Sequence, residues 1–186
     1  MIILASNSPR RREILSKFGY DFSVIKSDFI ESDEYSDPIK MVLNFSKGKA
    51  ESVFNNGFSD EIVLGADTVV YFEGKILGKP KSLADAENTL KLLSGNTHKV
   101  YTGYTVLADK IKLFGVDCSE VKFNILSDKL ITEYVKSGKP MDKAGGYGIQ
   151  DGYPLVEFVK GSVYNVIGLP IEKLKPVLDK LIDKIN

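Results

Sequence analysis

The chain has 186 residues, 43% of them hydrophobic, and its 25 lysines and arginines balance 25 aspartates and glutamates. Nucleic-acid-binding and anionic-membrane-binding proteins usually carry a basic excess, so a net charge of zero argues against both classes. The single cysteine, Cys118, excludes a disulfide framework and a cysteine-based metal site. We expect one domain over residues 1–186, with two lobes around a cleft.

The sequence carries no sign of a membrane or secretory segment. No stretch approaches the roughly 20 apolar residues of a membrane span. The first basic cluster follows the apolar start of the chain rather than preceding it, unlike a signal peptide. We therefore expect a cytoplasmic protein.

Strands and helices alternate along the first half of the chain, which is typical of the α/β class. A short buried strand at 2–5 precedes a helix from Pro9 to about Phe18. The next predicted elements are a strand at 21–29, a helix from Pro38 to about Phe54, a long apolar strand at 61–72 and its hairpin partner at 75–80.

The second half continues this alternation. Its predicted elements are a helix between Ser82 and Gly95, paired strands at 98–109 and 111–126, a helix after Ser127, a glycine-dense loop at 142–154, one or two strands within 155–170, and a last helix from near Ile171. Because hairpins and helical crossovers both occur, the sheet should be mixed.

Three arginines, Arg10, Arg11 and Arg12, occupy the first turn of the first helix, where the macrodipole is positive. Helical spacing places Arg11 on the buried face, Arg12 on the surface and Arg10 at the helix mouth. A solvated basic patch is the simpler interpretation of such a run. Two guanidiniums beside free helix N–H groups, however, form a site that an anion would stabilise, and we favour a bound phosphate.

Two carboxylates are candidates for chemistry. Asp67 lies inside an apolar strand, where an unpaired carboxylate would cost several kcal/mol, so it needs a cationic or metal partner. A core ion pair with a lysine is the alternative. Glu31 belongs to an acidic stretch, and its spacing does not distinguish it from the other acidic residues there. A solvated loop is the simpler interpretation of each of them; the others are Asp28, Asp33, Glu34 and Asp37.

Three lysines extend this set. Lys49 falls beside the apolar face of the second helix, although a lysine there can also extend its head into solvent. Lys79 precedes Pro80, which favours an extended backbone, and it ends a hairpin strand that begins next to Asp67. Lys143 begins the glycine-dense loop, which could close over a ligand.

Together these groups suit the hydrolysis of a polyphosphate with a divalent metal. Carboxylates would hold Mg²⁺ or Mn²⁺ through oxygen, and the cations would neutralise phosphate oxygens. The chain has no GxxxxGK[ST] loop, so the site is not of the Walker type. His98 is the only histidine, which excludes a histidine-centred triad, and we interpret it as structural.

Seven segments resemble, in order and spacing, the Maf family of septum-formation-inhibitor-like nucleotide pyrophosphatases: "LASNSPRRREIL", "GKAES", "GADTVV", "LGKP", "LSGNTHKVYTG", "DKAGGYGIQ" and "NVIGLP". The resemblance implies a Maf/Ham1-like (ITPase-like) α/β fold, an elongated mixed sheet flanked by helices with a central cleft. It also implies hydrolysis of a nucleoside triphosphate to the monophosphate and pyrophosphate, and it makes a homodimer plausible.

The resemblance also assigns roles to residues. Asp67 matches the family's proton acceptor, and six positions match those that line the phosphate and metal site: Ser8, Arg10, Arg11, Glu31, Lys49 and Lys79. Arg10, Thr68 and Gln150 match positions linked to base selection. "GGYGIQ" is similar to the branch that acts on dTTP and UTP, whereas the 7-methyl-GTP branch usually has an acid at position 150. A glutamine amide can pair with O4 and N3–H of uracil or thymine, and after a flip it also suits cytosine.

Three departures from the family pattern stand out. Asp151 replaces the glycine of "GIQG", Lys139 replaces the acid of "EPxDKAG", and Gly48 lies inside the second helix just before Lys49. The expected mechanism is metal-assisted attack of water on the α-phosphorus, with Asp67 and Glu31 holding the metal. Two alternatives remain open: a regulatory nucleotide- or nucleic-acid-binding protein linked to cell division, and a house-cleaning enzyme that prefers modified nucleotides.

Overall fold

The structure is a computed structural model that describes residues 1–32 and 35–185, so Asp33 and Glu34 of the acidic stretch lie outside the described residues. Within these ranges the strands are β1 (Ile2–Leu4), β2 (Phe22–Val24), β3 (Ile62–Phe72), β4 (Lys75–Leu77), β5 (Thr97–Ala108), β6 (Ile111–Phe123) and β7 (Val156–Lys160). The α-helices are α1 (Pro9–Lys17), α2 (Pro38–Asn55), α3 (Leu83–Leu93), α4 (Asp128–Lys136), α5 (Val163–Ile167) and α6 (Ile171–Ile185). Two short 3₁₀ turns, Lys139–Asp142 and Ala144–Gly146, follow α4.

The strands form one mixed sheet in the order β2-β1-β3-β5-β6-β7, and β4 pairs with β3 beside this path. Strand β1 runs parallel to both β2 and β3, whereas the remaining pairs are antiparallel. The predicted mixed sheet of an α/β protein is therefore confirmed.

Local sequence explains where the helices begin. The side chains of Asp37, Ser82, Ser127 and Ser162 each accept a hydrogen bond from a backbone N–H in the first turn of the helix that follows. Such caps satisfy N–H groups that have no partner inside the helix. Ser8 holds the same N-cap position before α1, which begins at Pro9. Its side chain, however, accepts no hydrogen bond from the described backbone of that helix.

Helix α2 packs unusually close to the sheet, and two glycines make this approach feasible. A Cβ on Gly65 of β3 would come 2.8 Å from the Ala50 nitrogen, and one on Gly103 of β5 would come 3.0 Å from the Leu43 nitrogen. A side chain at either position would therefore push the helix backbone away. This close packing brings the side chains of α2 within reach of β3.

The segment 155–170 holds one strand, β7, which agrees with the prediction of one or two, and also a short helix, α5, whose first turn is capped by Ser162. One sequence expectation needs correction. The strand predicted at 21–29 is limited to Phe22–Val24. Among the described residues, no helix is long and apolar enough to cross a membrane.

Candidate active site

A cleft of about 880 Å³ opens beside the N-terminus of α1 and the middle of β3. Residues from α1, α2, β3, the segment after β4 and the 3₁₀ turns line it. The structure brings every site residue named from the sequence to this one cleft: Ser8, Arg10, Arg11, Glu31, Lys49, Asp67, Thr68, Lys79 and Gln150. Residues scattered over more than three quarters of the chain thus share one cavity.

Strand β3 sends two neighbouring side chains to opposite faces of the sheet. Consecutive residues of a strand alternate between faces, so Asp67 shares the face of Val63, which packs with α2, whereas Thr68 shares the face of Leu64. Asp67 consequently meets Lys49 of α2, and Thr68 meets Arg11 of α1. The cleft therefore meets β3 where Asp67 with Lys49 and Thr68 with Arg11 lie on opposite faces of the sheet.

Lys49 links the two candidate carboxylates. Its Nζ lies 2.6 Å from Asp67 Oδ1 and 2.5 Å from Glu31 Oε1. Burial raises the pKa of Asp67, while the positive charges of Lys49 and Arg11 work in the opposite direction. The ion pair of Asp67 with a lysine, expected as one alternative, is present, and it lies in the cleft wall rather than in the closed core.

Arg11 is a buried guanidinium held on three sides. Its Nε donates to Gly168 O at 2.9 Å, its Nη1 to Ser6 Oγ at 2.9 Å and its Nη2 to Thr68 Oγ1 at 3.3 Å. The predicted burial of Arg11 and exposure of Arg12 are both confirmed. These contacts fix a positive charge at the floor of the cleft, where it acts on Asp67.

Arg10 reaches across the cleft to a residue 132 positions later in the chain. Its Nη1 donates to Asp142 Oδ2 at 2.6 Å, and its Nη2 donates to the Asp142 carbonyl at 3.0 Å. Partial burial opposes ionisation of Asp142, but hydrogen bonds from Lys143 and Arg10 outweigh it and lower the pKa of that carboxyl. A substrate phosphate that binds Arg10 must share it with this carboxylate or displace it.

Lys143 does not begin a freely exposed loop, because it is buried. Its Nζ donates to the Lys139 carbonyl at 2.6 Å and to Asp142 Oδ1 at 2.8 Å, and it lies 3.4 Å from Asp151 Oδ2. The glycine-dense segment is thus tied together from within.

Gln150 is exposed and lines the cleft, whereas the neighbouring Asp151 carboxylate is engaged elsewhere. Asp151 Oδ2 accepts a hydrogen bond from the Tyr134 hydroxyl at 2.6 Å. The Lys139 ammonium donates to the Asp151 carbonyl at 2.9 Å. Two of the departures from the family pattern therefore contact each other, and the Asp151 charge is balanced by Lys143.

Lys79 is exposed and also lines the cleft. The close cationic partner of Asp67 is Lys49 rather than Lys79. Within residues 1–32 and 35–185 no carboxylate forms an ion pair with Lys79, and its exposed ammonium can meet a ligand that enters from solvent.

Glu31 and Asp67 are the residues that could hold a divalent cation together with a bound phosphate. Mg²⁺ in nucleotide-processing sites commonly takes one or two protein carboxylates and completes its shell with substrate phosphates and water. Glu31 and Asp67 supply two carboxylates on either side of Lys49. In residues 1–32 and 35–185 no cluster of three histidine, cysteine or acidic side chains could hold a metal on its own.

The comparisons with known proteins agree with this geometry. The family model described as Maf-like protein matches residues 1–181. The chain belongs to the Maf family. It is 47% identical over 173 residues to the dTTP/UTP pyrophosphatase of Thermococcus onnurineus, covering 92% of this chain and 93% of that one. It is 48% identical over 183 residues to the dTTP/UTP pyrophosphatase of Clostridium perfringens, covering 96% and 95%.

Solved structures support the fold of this Maf protein. The Ham1 protein of Staphylococcus aureus superposes with a TM-score of 0.53 over 96% of this chain and 98% of that one, at 14% sequence identity. The expected Maf/Ham1-like architecture is confirmed. At this identity the likeness concerns the fold alone.

Sequence reasoning missed three polar partners in this Maf cleft: Ser6, Asp142 and Gly168. Asp142 had a signal, because it belongs to the "DKAG" segment that carries part of the family resemblance. Gly168 had one too, in "NVIGLP": its φ of 125° lies where glycine is favoured, and its carbonyl accepts from Arg11. Ser6 lies in "LASNSPRRREIL", the first of those segments, but its residue type alone does not indicate that it accepts from Arg11.

His98 is structural, as expected. It is buried, and its Nε2 lies 2.7 Å from the hydroxyl of Tyr147, whose ring is among the cleft-lining groups. Burial lowers the pKa of His98 to about 4, so the ring is neutral near pH 7. His98 thereby supports the glycine-rich segment from below without facing the cleft itself.

Proposed function

We propose that this Maf protein hydrolyses dTTP and UTP to the corresponding monophosphate and pyrophosphate. The observation that carries the proposal is the arrangement of Asp67, whose carboxylate is paired with Lys49 in a cleft also lined by Arg10 and Arg11. The names of the Thermococcus and Clostridium relatives supply the substrate class.

Four cations suit the triphosphate. Arg11 and Lys49 are held in place by hydrogen bonds and ion pairs, so their charges are preorganised. Arg10 and Lys79 line the more open part of the cleft. In phosphoryl transfer, positioning and charge stabilisation of this kind supply most of the rate gain.

Asp67 is the group that would orient the attacking water and accept its proton. Burial raises the pKa of this carboxyl, and a base works best when its pKa approaches the working pH. Glu31 and Asp67 would hold a Mg²⁺ or Mn²⁺ ion. When bound, such an ion neutralises charge on the phosphate oxygens and lowers the pKa of coordinated water. Pyrophosphate leaves as the bond between the α-phosphorus and its bridging oxygen breaks.

Gln150 and Thr68 would meet the nucleoside. The Gln150 amide is exposed at the cleft and is free to donate to O4 and accept from N3–H of a pyrimidine. Because Lys143 and Tyr134 hold the Asp151 carboxylate, its charge does not oppose a pyrimidine carbonyl at this position.

A nucleotide panel tests the proposal. Pyrophosphate release is measured from dTTP, UTP, CTP, 7-methyl-GTP and dITP, each with Mg²⁺ and with Mn²⁺. We expect turnover of dTTP and UTP well above that of the others. Preference for a different base would overturn the substrate assignment, and absence of turnover with every nucleotide would favour a regulatory binding protein.

A further inference from the structure

The segment that carries Glu31 is attached to one face of α2. The backbone N–H of Asp28 donates to Ser52 Oγ at 3.1 Å. One residue later, the ring of Phe29 lies directly over Gly48, one helical turn away from Ser52. Residues 25–32 and 35–37, the described part of this segment before α2, form no helix or strand, so these contacts determine where the chain runs there.

The buried ring of Phe45 contacts several side chains around Glu31. Phe45 is 1% exposed, and its ring centroid lies 5.8 Å from that of Phe29 and 5.4 Å from that of Tyr35, both edge to face. The Lys49 Nζ lies 5.9 Å from the centre of the same ring. Phe29 and Tyr35 precede and follow Glu31 in the chain, so the described residues on both sides of it pack on Phe45.

Gly48 is required by space rather than by backbone conformation. Its backbone is ordinary helix, since it is not among the glycines with positive φ. A Cβ at this position would lie 2.7 Å from Cζ of Phe29 and closer still to Cδ2 and Cε2. Glycine is otherwise an unfavourable residue inside a helix. The Phe29 ring therefore accounts for this departure from the family pattern.

We propose that the contact between Phe29 and Gly48 positions the Glu31 carboxylate against Lys49 and Asp67, and thereby sets the affinity of the site for its divalent cation. The Glu31 side chain is 52% exposed, and its carboxylate lies 2.5 Å from the Lys49 ammonium. The contact of Phe29 with Gly48 thus holds this carboxylate near the buried Asp67. Phe29 and Gly48 are positioning residues, and their role in catalysis rests on the function proposed above.

Gly48→Ala is the most informative variant, because it separates function from stability. Alanine is the better helix former, whereas loss of the edge-to-face contact between Phe29 and Phe45 lowers stability, so the two effects offset each other and the melting temperature changes little. The methyl group displaces the Phe29 ring. The Mg²⁺ concentration for half-maximal pyrophosphate release rises about tenfold and kcat/KM falls, because displacements of about 1 Å are costly in catalysis. Lys47 is exposed on the same helix, so Lys47→Ala is the matched control. It leaves the Mg²⁺ concentration for half-maximal release and kcat/KM unchanged.

A second readout does not depend on activity. The rate of chymotrypsin cleavage after Phe29 is measured by intact-mass spectrometry. Because the displaced segment opens more readily, this cleavage is several-fold faster in Gly48→Ala than in the wild type or in Lys47→Ala. Phe29→Ala reproduces the change in Mg²⁺ dependence, and Phe29→Leu restores part of it. In a Glu31→Gln background, Gly48→Ala adds no further loss, since the two changes act through the same carboxylate.

Three results would overturn the inference: wild-type Mg²⁺ dependence in Gly48→Ala, an unchanged rate of cleavage after Phe29, or a full additional loss in the Glu31→Gln background. If the wild type hydrolyses neither dTTP nor UTP, the proposed function fails. The cleavage rates then still decide whether Phe29 is anchored on Gly48.

Discussion

The Lys49 ammonium lies 2.6 Å from Asp67 Oδ1, where α2 packs on β3, and its charge works against the rise that burial causes in the pKa of this carboxylate. The pair depends on Gly65, which lets α2 approach the strand, and on strand alternation, which turns Asp67 toward the helix. Removing either partner should therefore change the chemistry of the other.

Lys49→Met should move the acidic limb of the pH–rate profile to higher pH. Burial already raises the pKa of Asp67, and losing the lysine removes the largest opposing charge, whereas Glu31 raises this pKa further. The measurement is kcat/KM for dTTP between pH 5 and 9. Lys47→Met is the control, and an unshifted limb in Lys49→Met would mean that Asp67 is not the titrating base.

The two neighbouring arginines should differ in what they support. Arg11→Met should destabilise the protein by about 1–3 kcal/mol, because it leaves the buried Gly168 carbonyl without its side-chain donor. Arg10→Met should change stability by less than about 1 kcal/mol, since its pair with Asp142 is partly exposed, yet lower kcat/KM. Urea unfolding and pyrophosphate release measure the two effects, and equal destabilisation by both variants would contradict this division.

His98 should make the protein sensitive to acid. Its pKa is lowered to about 4 in the folded state, below the ordinary value of 6.5, so the unfolded chain binds the proton first as pH falls. Stability conferred by neutral His98 is complete above pH 6.5 and decreases between about pH 6.5 and 4, by up to about 3 kcal/mol. His98→Gln should flatten that part of the curve of unfolding free energy against pH; parallel curves for the two proteins would disprove the assignment.

Gln150→Glu should lower turnover of dTTP and UTP by about tenfold or more, because a carboxylate repels the pyrimidine O4 and lacks the amide donor. The residue is exposed, so the melting temperature should not change. Steady-state kinetics with dTTP, UTP and CTP make the comparison. Undiminished activity on dTTP would remove Gln150 from base recognition.

Much of this site follows from the sequence because the relevant signals are local. The apolar run of β3 exposes Asp67 as an anomaly, and helical spacing separates Arg11 from Arg12. The pairing of Arg10 with Asp142 joins positions 132 residues apart, which no local pattern encodes. Helix α5 was open to a strand interpretation because its run of valine, tyrosine and isoleucine favours strands, whereas the Ser162 cap and tertiary packing favour a helix.

Gly48 is a second feature whose explanation is tertiary and does not follow from the local sequence. The sequence marks it as a weakness in α2, and the structure supplies its reason in Phe29, a residue from a preceding segment without regular structure. Side-chain complementarity between separate segments is a tertiary property, and residue type alone does not report it.

Asp67→Asn provides the most direct test of the central claim, that Asp67, in the cleft beside α1 and β3, is the base for pyrophosphate release from dTTP. The substitution keeps the size of the side chain and removes its charge and basicity. We predict a folded protein, with a melting temperature close to that of the wild type and no pyrophosphate release above background with Mg²⁺ or Mn²⁺. Near-normal turnover by that folded variant would contradict the account.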